Sequence, residues 1–391
     1  MNVKERDQTY VAHTYSRFPV EIVSGKGSEV YDETGKRYID LTSGIGVTSF
    51  GVADDVWQQA VIAQVQKVQH MSNLYYTAPC ARLAELLCER TGMKKVFFSN
   101  SGAEANECAI KVARKYQTEH KGPDCFEIVT LKNSFHGRTL TTLAATGQDH
   151  YHELFQPLTP GFSYAEAGNM EDLERICKEK NVAAVMIEII QGEGGVLPLS
   201  EEYLESLQAF VKEKDILLLI DEVQTGNGRT GAFYAYMNYG LTPDVVSTAK
   251  GLGGGLPLGA TLLSEKVQDT LGYGDHGSTF GGNPVSCAGA VSIVERIDND
   301  LLNEVRKKSE YVFDAFKGAE GVESVSGLGL MIGIKPSKKT ASQVVNACIK
   351  KGVLCLTAKD KVRLLPALNI PMEILKEAVA VILEELKAEE A

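Results

Sequence analysis

The apolar run VVSTA ends in Lys250, and glycines crowd the next stretch, GLGGGLPLG. A lysine amine is protonated at neutral pH unless burial or a nearby cation lowers its pKa, and it then becomes a nucleophile able to hold an aldehyde covalently. On local grounds an ordinary edge-strand lysine before a glycine turn is an equal reading. A second run, ILLLI, ends in Asp221, Glu222, Val223 and Gln224. Four apolar residues followed by Asp-Glu resemble the metal-binding strand of nucleotide hydrolases. Such an enzyme also needs G-x-x-x-x-G-K-[ST], and neither SGKGS nor TGKRY supplies it. The glycines after Lys250 also miss the dinucleotide pattern G-x-G-x-x-G in every register, so both nucleotide readings weaken.

Three more stretches come directly after apolar runs. Ser101-Gly102-Ala103 comes after VFFSN and opens a helical pattern. A helix N-terminus there offers free N–H groups to a phosphate, although Ser101 also reads as a plain N-cap. SFHGRT carries Phe135, His136 and Arg138. The ring could stack on a flat ligand and the guanidinium fork could clamp a carboxylate. Glu193 sits among glycines in QGEGG, where it reads as a ligand-facing carboxylate or a solvated turn residue. Together these groups fit one ligand. Pyridoxal phosphate needs its phosphate cradled (Ser101 to Ala103), its ring stacked (Phe135), its ring nitrogen kept protonated (Asp221) and its aldehyde tied to an amine (Lys250).

Periodicity indicates the elements that must position them. Between about 95 and 265, short runs (KVFFSN, EIVTL, AAVMIEI, ILLLID, VVSTA, ATLLS) alternate with helical stretches such as Ala103–Glu119 and Glu202–Lys214. Continuous apolar strands are buried on both faces, as in a parallel sheet. In such α/β sheets ligands gather at the carboxyl ends of the strands. Residues 20–41 alternate around turn signals and predict an antiparallel meander. Beyond about 290 a long helix, the stretch GVESVSGLGLMIGIKP, and then helix, strand and helix predict a smaller α+β lobe. The expected division is an N-terminal segment (1–50) joined to the small lobe, a large α/β lobe (51–285) and a C-terminal lobe (286–391).

The chain has 391 residues and a net charge of −11, with 44% hydrophobic and 23% charged residues. That length suits two packed lobes, and the acidic balance argues against nucleic-acid or membrane-surface partners. Eight cysteines form no C-x-x-C pair, so buried thiols in a reducing cytoplasm are expected rather than a zinc site. The first residues lack an apolar h-region and no run is long enough to span a bilayer. His150 and His152 flank Tyr151 with no carboxylate or cysteine nearby in sequence. They are read as solvated loop residues, and no metal is expected.

Along nearly its whole length the chain resembles the class III (subgroup II) pyridoxal-phosphate aminotransferases, and within them the acetylornithine branch. The resemblance runs through TYSRFPVEIVSGKGSEVYDETGKRYIDL, FFSNSGAEANECAIKVAR, SFHGRTLTTLAATGQ, IEIIQGEGG, LLIDEVQTGNGRTG, STAKGLGGGLPLGA, HGSTFGGNP and VRLLPALNI. It implies fold type I, with a mostly parallel seven-stranded sheet, and a homodimer sharing two sites. It implies Lys250 as cofactor lysine and proton carrier, Asp221 at the ring nitrogen, Val223 opposite Phe135, and Gln224 at the ring hydroxyl. Gly102 and Ala103 would hold the phosphate from one subunit and Thr279 from the other. Arg138 would bind the substrate's distal carboxylate and Arg363 the α-carboxylate of 2-oxoglutarate or glutamate. Glu193 would neutralise Arg363 for the amino donor, and Ser278 would touch the donor's acylated end.

The implied reaction passes the δ-amine of N-acetylornithine to 2-oxoglutarate, giving a semialdehyde and glutamate, a step of arginine biosynthesis. Succinylornithine, succinyl-diaminopimelate, ornithine or 4-aminobutyrate are alternative donors, and a non-catalytic binding protein on the same fold is the different-class alternative. Ornithine enzymes tend to carry tryptophan where His136 stands. Two stretches depart from the family pattern: FGVADDVW replaces a GHCHP-like segment, and LLPALN replaces a double proline.

Overall fold

The computed structural model describes residues 1–389; the last two residues of the expected C-terminal lobe lie outside them. At its centre is a seven-stranded sheet built from β1 (Lys95–Ser99), β2 (Glu127–Leu131), β3 (Phe162–Ala165), β4 (Val182–Ile187), β5 (Leu217–Asp221), β6 (Val245–Thr248) and β7 (Gly259–Leu263). Its spatial order is β1-β7-β6-β5-β4-β2-β3. All neighbours pair parallel except β7, which runs antiparallel to both β6 and β1. Side chains of β4 and β5 alternate between two apolar layers. Val185, Ile187, Leu218 and Ile220 join one, while Ala184, Met186, Leu217 and Leu219 join the other. This is why both strands read as unbroken apolar runs.

Helix α1 (Gly102–Lys121) covers the second layer, burying Cys108, Ala109, Ile110, Val112 and Ala113. Ser101 caps it, extended at φ −154° and accepting from Glu104 N. Six of the strands were expected. β3 was not: it is an edge strand, FSYA, with an only partly covered pattern, too polar to stand out.

The N-terminal meander forms as expected from 22–26, 29–32 and 37–40, and Val353–Leu354 extends it in parallel from the far end of the chain. Beyond the large sheet, the expected long helix is two helices, Pro284–Val294 and Asn299–Phe316. A second antiparallel sheet orders 322–328, 331–336, 361–364 and 356–358. The one strand expected between the last two helices is therefore three short ones, and an exposed helix, Val3–Tyr10, was not expected. Val30, Ile39 and Leu41 share a core with Val312, Phe316, Ile332, Val344 and Ile382. No helix among the described residues is long and apolar enough to cross a membrane.

Candidate active site

The carboxyl ends of β1, β2, β4, β5 and β6 open onto one cavity of about 560 Å³. Its wall includes Ser101, Gly102, Ala103, Phe135, Arg138, Asp221, Val223, Gln224 and Lys250. Residues far apart in sequence therefore meet where parallel strands end together.

Lys250 comes just after β6 in a left-handed backbone conformation, φ +46°. Non-glycine residues rarely adopt it, and such strain collects at functional positions. Burial pushes the amine down to about 8; Glu193 pulls it back up and Arg363 lowers it again. Asp221, buried at the end of β5, receives three hydrogen bonds. Val223 N donates to Oδ1 at 3.0 Å. Asn106 Nδ2 and His136 Nδ1 each lie 2.8 Å from Oδ2. An ionised carboxylate can only accept, so the imidazole carries its proton on Nδ1; buried Nε2 has no partner.

At the start of α1 the N–H groups of Gly102 and Ala103 precede the first intrahelical bond and point to the cavity end of the helix dipole. Glycine is required at 102 because a Cβ there would stand 2.6 Å from Val223 Cγ1. The Phe135 ring lines the cavity and meets Tyr151 edge-on, centroids 5.7 Å apart. Arg138 is exposed at the cavity wall, its guanidinium 5.3 Å from the Phe135 ring centre. It has no ion-pair partner among the described residues.

Arg363 arrives from the second sheet, on the strand Lys361–Leu364. It is buried, with Nη1 2.6 Å from Glu193 Oε1 and 3.2 Å from Gln224 Oε1. Gln224 Nε2 donates to the same Glu193 oxygen at 3.4 Å. Burial pushes Glu193 up, but Arg363, helped by Lys250 and the Gln224 amide, outweighs this and holds it below the usual carboxylate range. Ser278 lies just outside the cavity wall, Oγ accepting from Asn100 Nδ2 at 3.1 Å. Thr279 is not brought to the cavity: it is exposed, beside Met71, Ser72 and Asn73.

Sequence reasoning missed Tyr15, Asn106 and Glu188, which all line the cavity. Asn106 had a signal, a polar residue on the apolar stripe of α1. Glu188 had one too, a carboxylate interrupting the run AAVMIEII. His152 is not simply solvated, since its Nε2 lies 2.9 Å from Leu143 O.

A sequence profile of the family Aminotransferase class-III matches residues 10–386. The chain belongs to the class-III aminotransferases. It is 49% identical to the acetylornithine aminotransferase of Haemophilus ducreyi, over 98% of each chain. It is 45% identical to that of Aquifex aeolicus, over 97% of this chain and all of the other. Among solved structures, the N-acetylornithine aminotransferase of Stenotrophomonas maltophilia superposes with a TM-score of 0.84 at 34% identity, covering 97% of both chains. The ornithine aminotransferase of Toxoplasma gondii superposes at 0.94 with 30% identity, covering 98% of this chain and 94% of that one.

This class-III aminotransferase is a pyridoxal-phosphate enzyme of fold type I. Its cavity fits that cofactor: two free helix N–H groups for an anion, a triply bonded carboxylate for a protonated ring nitrogen, and a buried amine of lowered pKa for an aldehyde. The volume is within the range of cofactor pockets.

Proposed function

We propose that this aminotransferase moves the δ-amino group of N2-acetyl-L-ornithine to 2-oxoglutarate, by a ping-pong cycle yielding N-acetylglutamate 5-semialdehyde and glutamate in arginine biosynthesis. The observation that carries the reading is the pair of buried Arg363 and half-buried Glu193. A site serving two amino compounds in turn must bind a dicarboxylate once and a single terminal amine once. A buried arginine with a removable counter-charge does both. The names of the curated relatives support the acetylated donor, as does His136 where ornithine enzymes tend to carry tryptophan.

When bound, the cofactor supplies an aldehyde that takes the amine and a protonated ring that accepts the electron pair left on the substrate carbon. Lys250 would hold that aldehyde and would carry a proton to and from the amine-bearing carbon. Asp221 keeps the ring nitrogen protonated, and His136 and Asn106 hold Asp221 in place. Phe135 and Val223 would pack on the ring, Gln224 would reach its hydroxyl, and Ser101, Gly102 and Ala103 would take the phosphate. Arg138 clamps the carboxylate far from the reacting amine, Arg363 binds the second carboxylate of glutamate, and Ser278 borders the donor's acyl end.

The same reading makes the enzyme a homodimer in which Thr279 reaches the phosphate site of the other subunit. In support, Thr279 is exposed beside Phe280, and Asn73 Nδ2 ties its loop to the exposed Leu74–Tyr76 stretch through Ser278 O and Gly281 O, both at 2.8 Å. Clustered exposed aromatics of this kind mark interfaces. Residues 1–50 and 286–391 are read as one small lobe around the large lobe 51–285. The free cysteines are compatible with a cytoplasmic location.

Free ornithine is the second reading, favoured by the close superposition on ornithine aminotransferases. A half-reaction screen against N-acetylornithine, N-succinylornithine, ornithine and 4-aminobutyrate decides. Ornithine or 4-aminobutyrate outpacing the acylated donors would overturn the proposal.

A further inference from the structure

One carboxyl group in the cavity wall takes no part in moving the amine. Glu188 comes directly after β4 and is 5% exposed. Its Oε2 accepts from Phe135 N at 2.9 Å and its Oε1 from Gly192 N at 3.4 Å. These two backbone groups belong to different loops. One carries the stacking ring and Arg138; the other carries Glu193. Each loop has an anchor of its own, His136 N donating to Thr146 Oγ1 at 2.9 Å and Ile190–Gln191 pairing with Leu197–Pro198 around the Gly192 turn. The two carboxyl oxygens add a bridge between them beside the Gln191 Nε2 bond to Lys132 O at 2.8 Å.

The surroundings make this costly. Burial pushes Glu188 up to about 7, with His136 opposing and Asp221 adding to the rise. A second carboxyl group beside Asp221 is retained although an apolar residue would avoid that penalty. A side chain with two acceptor oxygens is what two buried N–H groups on separate loops need. The glycine at 192 adds to the constraint: a Cβ there would stand 2.4 Å from Gln224 Oε1. That turn therefore packs against the Gln224 amide, which contacts both Glu193 and Arg363.

We infer that Glu188 is a positioning residue that couples the two jobs of the site, setting the Phe135 loop against the cofactor ring and the Gly192–Glu193 turn against Arg363. The inference rests on Glu193 being the removable counter-charge.

The test compares Glu188→Ala, Glu188→Gln and Glu193→Ala, each purified with and without cofactor. Three readouts are taken: the dissociation constant for pyridoxal phosphate, the near-ultraviolet circular dichroism of the cofactor-free protein, and the ratio of KM for glutamate to KM for N-acetylornithine. Glu188→Ala is expected to weaken cofactor binding about tenfold, the scale of one charge-assisted hydrogen bond. It is also expected to change the aromatic dichroism of the Phe135–Tyr151 pair and shift the KM ratio several-fold. Glu188→Gln keeps one acceptor and turns an N–H donor toward the other N–H, so it should show a smaller change in the same direction. A merely structural role would lower stability and leave the KM ratio alone. A folded Glu188→Ala with either an unchanged dissociation constant or an unchanged KM ratio overturns the inference. If that variant does not fold, an unchanged constant and ratio in Glu188→Gln overturn it instead. Should Glu193→Ala leave the KM ratio untouched, the counter-charge reading fails, and the inference about Glu188 falls with it.

Discussion

Arg363 Nη1 lies 2.6 Å from Glu193 Oε1, yet the two groups differ in freedom. The arginine side chain is 4% exposed and the glutamate 29%. The cation is fixed in the protein and the anion sits at the edge, so the carboxylate is the member that can leave.

Glu193→Ala should therefore discriminate between the two half-reactions. Glutamate brings its own carboxylate to Arg363, whereas the acylated donor leaves a buried cation uncompensated. The expected loss in kcat/KM is roughly tenfold to a hundredfold for N-acetylornithine, and clearly less for glutamate, on the scale of a charged hydrogen bond. Single-turnover rates with each amine measure it. Equal losses would show that Glu193 acts on both substrates alike.

Arg138→Ala should leave stability unchanged within about 0.5 kcal/mol, because an exposed guanidinium without an ion pair contributes little to the fold. Activity should fall by roughly two to three orders of magnitude in kcat/KM for both N-acetylornithine and 2-oxoglutarate, since a bidentate clamp is lost. Arg138→Lys should recover little of it. Loss confined to 2-oxoglutarate would place the donor's carboxylate elsewhere.

Lys250 gives a stability signature in cofactor-free protein. Its folded-state pKa, about 8, lies below the ordinary 10.5. The folded chain thus binds this proton less readily than the unfolded chain. The cost is fully present below about pH 8 and disappears as pH rises toward 10.5. Lys250→Met should be more stable than wild type near neutrality, by up to about 3 kcal/mol, with the gap closing in alkaline buffer. Denaturant melts at several pH values read it directly. A gap independent of pH would mean that the amine is solvated.

Gly102→Ala would put a methyl group against Val223. Either the valine or the helix start must shift, at about 1–3 kcal/mol. Cofactor retention on dialysis should drop while the protein stays folded. Unimpaired retention would mean that neither element is held tightly.

What the sequence discloses here divides along physical lines. The inner strands of the large sheet announce themselves because burial on both faces leaves an apolar run. Edge strand β1 shows through its apolar VFF core although only partly covered, and the cavity is lined by residues just past the ends of such runs. Phe135, Asp221 and Lys250 were legible for that reason. The Arg363–Glu193 pair spans 170 positions and joins a turn to a strand of another sheet, so no local pattern could reveal it; only the family resemblance pointed there. Gln224 was expected at the ring hydroxyl, and its contacts to both members of that pair emerged only from the fold. Glu188 and Asn106 carried a signal, a polar group interrupting an apolar pattern, that is easily passed over because each sits inside an otherwise ordinary element.

The reversed strand β7 shapes the entrance to the cavity. A parallel neighbour for β6 would need a crossover returning the chain to the amino ends of the strands. Because β7 runs back, the chain from Lys250 to Gly259 turns around at the catalytic end and never leaves it. Those few residues form a hairpin-like rim in which Gly255, Leu256, Pro257 and Leu258 face the cavity. The rim is pinned from behind, where Ser49 Oγ donates to Gly251 O at 3.0 Å and Trp57 Nε1 to Gly253 O at 3.1 Å, which leaves the stretch from Gly254 to Pro257 partly open to solvent.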